Sequence, residues 1–102
     1  MKFRIWMIAA LCTLAALGVI AAEHKLTLVN LDWDRVTVEV REGSEASCAD
    51  RSLIGSRALT KGEAWSNLPC GQPCWRKKLP GYDWGPWIAT TCFSKSETYE
   101  IN

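Results

Sequence analysis

Four cysteines, Cys48, Cys70, Cys74 and Cys92, are the residues whose type and spacing bear most directly on chemistry. They can hold zinc, exchange electrons or simply join in pairs. Cys70-x-x-x-Cys74 has the spacing of one zinc half-site, but Cys48 and Cys92 stand alone and form no second half. Redox enzymes of the thioredoxin type use C-x-x-C in a βαβ context, and neither is present. Pairing into two disulfides is the remaining use.

His24 is the single histidine. A catalytic Ser/His/Asp or Cys/His set needs an imidazole held by its neighbours, and a residue this close to a new N-terminus is poorly placed for that. If an export segment were cut after Ala21, the amine, two amide nitrogens and the His24 ring could wrap Cu(II) or Ni(II) in a square plane. A cut after Ala22 would abolish that site, so no metal and no cofactor is expected. Asp32 and Asp34 flank Trp33. Two carboxylates can act as acid and base or grip calcium, but calcium needs six or more oxygens, and glycoside chemistry needs a deep cleft. Turn formation accounts for both. There is no glycine-rich phosphate loop and no nucleophile motif, so an enzyme is the least favoured class.

The aromatic residues suggest binding. Trp33, Tyr82 and Trp84 fall beside Asp, Gly and Pro in segments expected to be loops, where rigid amphipathic rings serve contact surfaces. Asp83 and Arg76 complete the candidate contact set. Trp65 and Trp87 are expected in strands, filling the core. Arg76-Lys77-Lys78 reads as a solvated edge that discourages edge-to-edge pairing, or as a contact for an acidic partner with cation–π support from Trp75.

The elements that must position these residues begin after an export signal. Lys2 and Arg4 precede an uncharged apolar run from Ile5 to Ala22, which ends in small residues before Glu23-His24-Lys25. That order is a secretory signal peptide, residues 1–22. An uncleaved anchor is the rival, at about 18 apolar residues near the lower limit for a bilayer span. A lipid on Cys12 is disfavoured because Leu11 precedes it. Cleavage leaves one domain, residues 23–102, with ten basic and eleven acidic residues. Near-neutrality gives no electrostatic case for nucleic acid or anionic membrane.

Export makes disulfides the expected use of the four cysteines, because a core this small supplies few kcal/mol of net stability and small exported domains often carry staples. Cys48–Cys74 with Cys70–Cys92 closes loops of about 25 residues, worth roughly 3.5 kcal/mol each in the chain-entropy model. This pairing is preferred. Cys48–Cys70 with Cys74–Cys92 is nearly as good, across a hairpin.

Lys25–Leu31 alternates, with Leu26, Leu28 and Asn30 on one side. Arg35–Arg41 alternates more clearly, with Val36, Val38 and Val40 facing one way. These two strands are expected to pair as a hairpin. A weaker strand, Leu53–Leu59 with a bulge at Gly55, should follow, then Ala64–Ser66, Trp87–Phe93 and Glu97–Ile101. Residues 79–86, with two Pro and two Gly, form a loop. No stretch keeps a helical period. The expected fold is an all-β, disulfide-stapled antiparallel sandwich of immunoglobulin type, with a small β-barrel as alternative.

The stretch Asn30-x-x-Trp33-Asp34-Arg35-Val36-x-Val38-Glu39-Val40-Arg41, with Cys74-Trp75-Arg76-Lys77, resembles small exported proteins of Gram-negative bacteria that have no assigned activity. In that pattern one cysteine follows the second strand and one opens the Cys-Trp-Arg segment, which adds support for Cys48–Cys74. The expected role is a periplasmic or secreted, non-catalytic domain that binds another envelope or extracellular protein, as inhibitor or accessory factor. The alternative is a carbohydrate-binding module whose loop aromatics take a glycan. Nothing in the sequence sets the oligomeric state.

Overall fold

The computed structural model describes residues 24–92 and 95–102. The expected signal peptide, the four-nitrogen metal site and the far end of the Trp87–Phe93 strand lie outside these residues. Among the described residues seven strands make two sheets: β1 (Lys25–Val29), β2 (Arg35–Glu42), β3 (Ser52–Thr60), β4 (Ala64–Pro69), β5 (Pro73–Lys78), β6 (Ile88–Ala89) and β7 (Glu97–Glu100). The first sheet runs β4-β1-β7 and the second β3-β2-β5-β6. The fold is a two-sheet sandwich, not a closed barrel. No described helix is long and apolar enough to cross a membrane.

β1 and β2 do not form the expected hairpin. They lie in different sheets, joined by a crossover. Each has one apolar face, and stacking those faces buries both at once, whereas a hairpin would leave the shared face uncovered. Leu26 and Leu28 thus meet Val36, Val38, Val40 and Leu59, and Leu68, Trp75 and Ile101 complete the core. The pairs β1–β4 and β2–β5, with crossings at β1–β2 and β4–β5, are the central arrangement of immunoglobulin-like sandwiches. β7 departs from an all-antiparallel plan by pairing with β1 in parallel.

Asn30 explains how the crossover is held. Its side chain is fully buried. Nδ2 donates to the Trp33 carbonyl at 2.8 Å and to the Leu59 carbonyl at 3.0 Å, while Oδ1 accepts from the Trp33 amide at 3.0 Å. Its backbone amide donates to Glu63 O, and its carbonyl accepts from Gly62 N. One residue therefore ties the β1–β2 crossover to the β3–β4 turn. Buried amides persist only when satisfied in this way.

β3 is longer than expected, nine residues at the edge of the second sheet. The register passes from Val40↔Gly55 to Arg41↔Leu53, which leaves Ile54 unpaired as a bulge beside Gly55. β4 bulges as well, opposite Thr27, with Asn67 at φ 62 supplying the left-handed residue.

The disulfides join Cys48 to Cys74 and Cys70 to Cys92, the pairing with the longer loops. They suit an oxidising environment. Cys70–Cys92 connects the end of β4 to the segment before β7 and lies within the core. Cys48–Cys74 pins the short 3-10 turn Cys48–Asp50 to β5.

Candidate functional site

Five contact residues were expected: Trp33, Arg76, Tyr82, Asp83 and Trp84. The structure divides them between two places. Trp33 and Tyr82 line a cleft of about 340 Å³ with Asp34, Arg35, Leu79 and Pro80. Arg76 and Trp84 belong to an aromatic stack. Asp83 is exposed in the segment between them.

The cleft is built from two turns. Leu79-Pro80-Gly81-Tyr82 closes with the Tyr82 amide donating to Leu79 O at 3.0 Å. Pro80 supplies a fixed φ at the second position, and Gly81, at φ +83, supplies the left-handed third position, as a type II turn requires. The Gly85 amide donates to Lys77 O at 2.8 Å and draws the loop back to β5. Opposite stands the crossover, where Asn30 holds both the amide and the carbonyl of Trp33. Trp33 and Leu79 pack against the core, so the cleft floor is continuous with it. The Trp33 indole N–H is buried with no hydrogen-bond partner among the described residues. Tyr82 stands at the lip, 69% exposed. Asp34 and Arg35 put one charge of each sign on the rim.

The stack lies on β5 and the loop after it. The Arg76 guanidinium carbon sits 4.5 Å from the ring centroids of both Trp84 and Trp87. Its nitrogens donate to Glu39 Oε1 at 2.8 and 3.1 Å, and Arg41 Nε donates to Glu39 Oε2 at 2.7 Å. Glu39 is 7% exposed. Burial alone would raise its pKa, but the hydrogen bonds from Arg41 and Arg76 and their charges outweigh burial and hold it below the ordinary 4.5. Arg76 thus shares the Glu39 carboxylate with Arg41 and stacks against two indoles.

Arg76-Lys77-Lys78 pairs with β2 on one side only, since the ladder between β5 and β6 stops at Cys74 and Trp75. Two expectations around this segment need correction. Its cation–π partners are Trp84 and Trp87, because Trp75 points to the opposite side of the strand. Trp87 precedes the two-residue β6 and stacks on Arg76, whereas the tryptophan of the core is Trp75, 3% exposed, with its N–H donated to Thr90 Oγ1 at 3.3 Å. The period-2 alternation of β5 carried that signal, since Trp75 must face opposite to Arg76. Leu79 and Pro80 read in the sequence only as loop residues, although they lie beside Tyr82 in the chain.

Among the described residues no three His, Cys, Asp or Glu side chains come together as a metal site. The arrangement offers a small apolar recess with a polar rim, suited to receiving a side chain. Comparison with family models, curated proteins and solved structures finds no match.

Proposed function

We propose that this chain is an exported, non-catalytic binding domain, working in the periplasm or outside the cell. Its cleft takes an apolar side chain of another envelope or extracellular protein. The supporting observation is the cleft itself, with its floor of Trp33 and Leu79 anchored on the core and Tyr82 free at the lip. Interfaces concentrate affinity in such rigid aromatic anchors. A protein is favoured over a glycan because sugar stacking uses an open indole face, and Trp84 and Trp87 each turn a face to Arg76.

Tyr82 is the cleanest probe, because it is exposed and lies outside the core. The oxidised protein is immobilised, an envelope extract is passed over it, and retained proteins are identified by mass spectrometry. One near-stoichiometric partner is expected, with affinity reduced about tenfold or more by Tyr82→Ala and the thermal midpoint unchanged. Retention that ignores Tyr82→Ala sinks the reading. A change in Trp fluorescence on adding soluble cell-wall polymers, lost in Tyr82→Ala, would transfer the site to glycan.

A further inference from the structure

The two disulfides span similar lengths of chain but differ in what surrounds their sulfurs. Cys70 and Cys92 are 6% and 9% exposed and belong to the core. Cys74 is fully buried, yet its partner Cys48 is part-exposed, on the short turn outside the sheet. Nη1 of Arg51 lies 3.0 Å from Cys74 Sγ. The same guanidinium is oriented by Glu45 O at 2.8 Å and Gln72 O at 3.1 Å, and the Arg51 carbonyl accepts from Arg41 Nη1 at 3.0 Å. Its hydrogen-bond partners among the described residues are two carbonyls and the sulfur, so no carboxylate takes up its charge.

We propose that Cys48–Cys74 is a thiol–disulfide exchange site for a dithiol, with Arg51 setting the direction of cleavage. Exchange needs an open sulfur for attack and a stabilised sulfur to leave. Cys48 is the open one. Cys74 is the leaving one, because the Arg51 guanidinium 3.0 Å from its sulfur can take up the charge that develops there. One thiolate of the dithiol attacks Cys48 Sγ and forms a mixed disulfide there. The Cys48–Cys74 bond breaks, and its electron pair leaves on Cys74 as a thiolate beside Arg51. The second thiol of the dithiol, after losing its proton, attacks the mixed disulfide and releases Cys48. The dithiol is oxidised to its own disulfide, and the protein gains two electrons and, from solvent, two protons.

The sandwich survives this step. Two contacts that do not depend on the sulfurs tie this region together: Glu42 Oε2 accepts from the Gly71 amide at 3.0 Å, and the Gly43 amide donates to Gln72 O at 3.3 Å. What is released is the 44–50 segment over the outer face of β5.

Two measurements on the oxidised protein test the site. Limiting dithiothreitol followed by alkylation and peptide mapping should label Cys48 and Cys74 at least about tenfold faster than Cys70 and Cys92. Glutathione, a monothiol, should add to Cys48. Equal labelling, earlier labelling of Cys70 and Cys92, or an adduct on Cys74 overturns the proposal. Arg51→Gln should slow opening of Cys48–Cys74 about fivefold and leave Cys70–Cys92 unchanged, while Arg51→Lys keeps most of the rate. A rate that is unchanged or faster in Arg51→Gln, or as slow in Arg51→Lys as in Arg51→Gln, removes the role given to the Arg51 charge.

Discussion

Glu39 and Asn30 show how single polar side chains act inside this small core. Glu39 is held ionised by Arg41 and Arg76 against the cost of burial. Its folded pKa lies below 4.5, so the unfolded chain binds its proton first on acidification. The stability it contributes is complete above the unfolded value and is lost as pH falls through the lower folded one. Glu39→Gln should therefore cost about 1–2 kcal/mol at neutral pH, and the gap to the parent should narrow below about pH 4. Thermal midpoints across the acid range check this; a constant gap contradicts it. Asn30 both donates and accepts, and that rules out its acidic isostere. In Asn30→Asp, a buried carboxylate would face the carbonyls of Trp33 and Leu59. Asn30→Asp should be more destabilising than Asn30→Ala at neutral pH, and the order should weaken in acid. Denaturant midpoints of the two variants give the comparison.

At the scale of elements, β3 is the longest strand and an edge, with Leu53 57% and Ile54 42% exposed. A flat apolar edge invites pairing with a second chain. Two features oppose it. The bulge at Ile54 breaks the ladder. Arg57, opposite Val38 and so on the inward side, carries its guanidinium 6.0 Å from the Trp65 ring. Trp65 comes from β4 and reaches Gly55, where an added Cβ would lie 3.3 Å from the ring. Gly55 thus admits the indole that closes this end of the core. Arg57→Val should leave the monomer folded but raise self-association, read by sedimentation at increasing concentration. A strictly monomeric variant would show that the bulge suffices alone.

For the whole molecule, the disulfides divide the work between sheets and surface. By loop length they are nearly equal, with separations of 26 and 22 residues, worth about 3.5 kcal/mol each in the chain-entropy model. Their positions separate them. Replacing Cys70 and Cys92 by serine puts two hydroxyls into buried positions, whereas Cys48→Ser/Cys74→Ser buries only the one at Cys74. The Cys70→Ser/Cys92→Ser protein should therefore be less stable than Cys48→Ser/Cys74→Ser, compared by urea midpoint. The reverse order would mean that the outer staple, not the inner one, holds the sheets.

Much of this architecture was legible in the chain. The alternation of Val36, Val38 and Val40 against charged neighbours specifies a half-buried strand, because side chains alternate with period 2 whatever the strand pairs with. Cys48, Cys70, Cys74 and Cys92 form two staples, which suit an oxidising environment. Pro80-Gly81 dictates its turn through φ alone. These are local constraints. What the sequence could not state is which faces meet. Whether β1 pairs beside β2 or stacks across from it depends on burying two apolar faces at once, a property of the assembled core. That Trp87 lies over Arg76 while Trp75 fills the interior depends on β5 becoming a central strand, which is decided by its neighbours. The cleft exists only because Asn30 and the Leu79–Tyr82 turn bring together segments more than forty residues apart. Side-chain alternation and turn geometry are properties of neighbouring residues, and packing is a property of distant ones, so only the folded molecule determined where the aromatic residues serve the core and where they face outward.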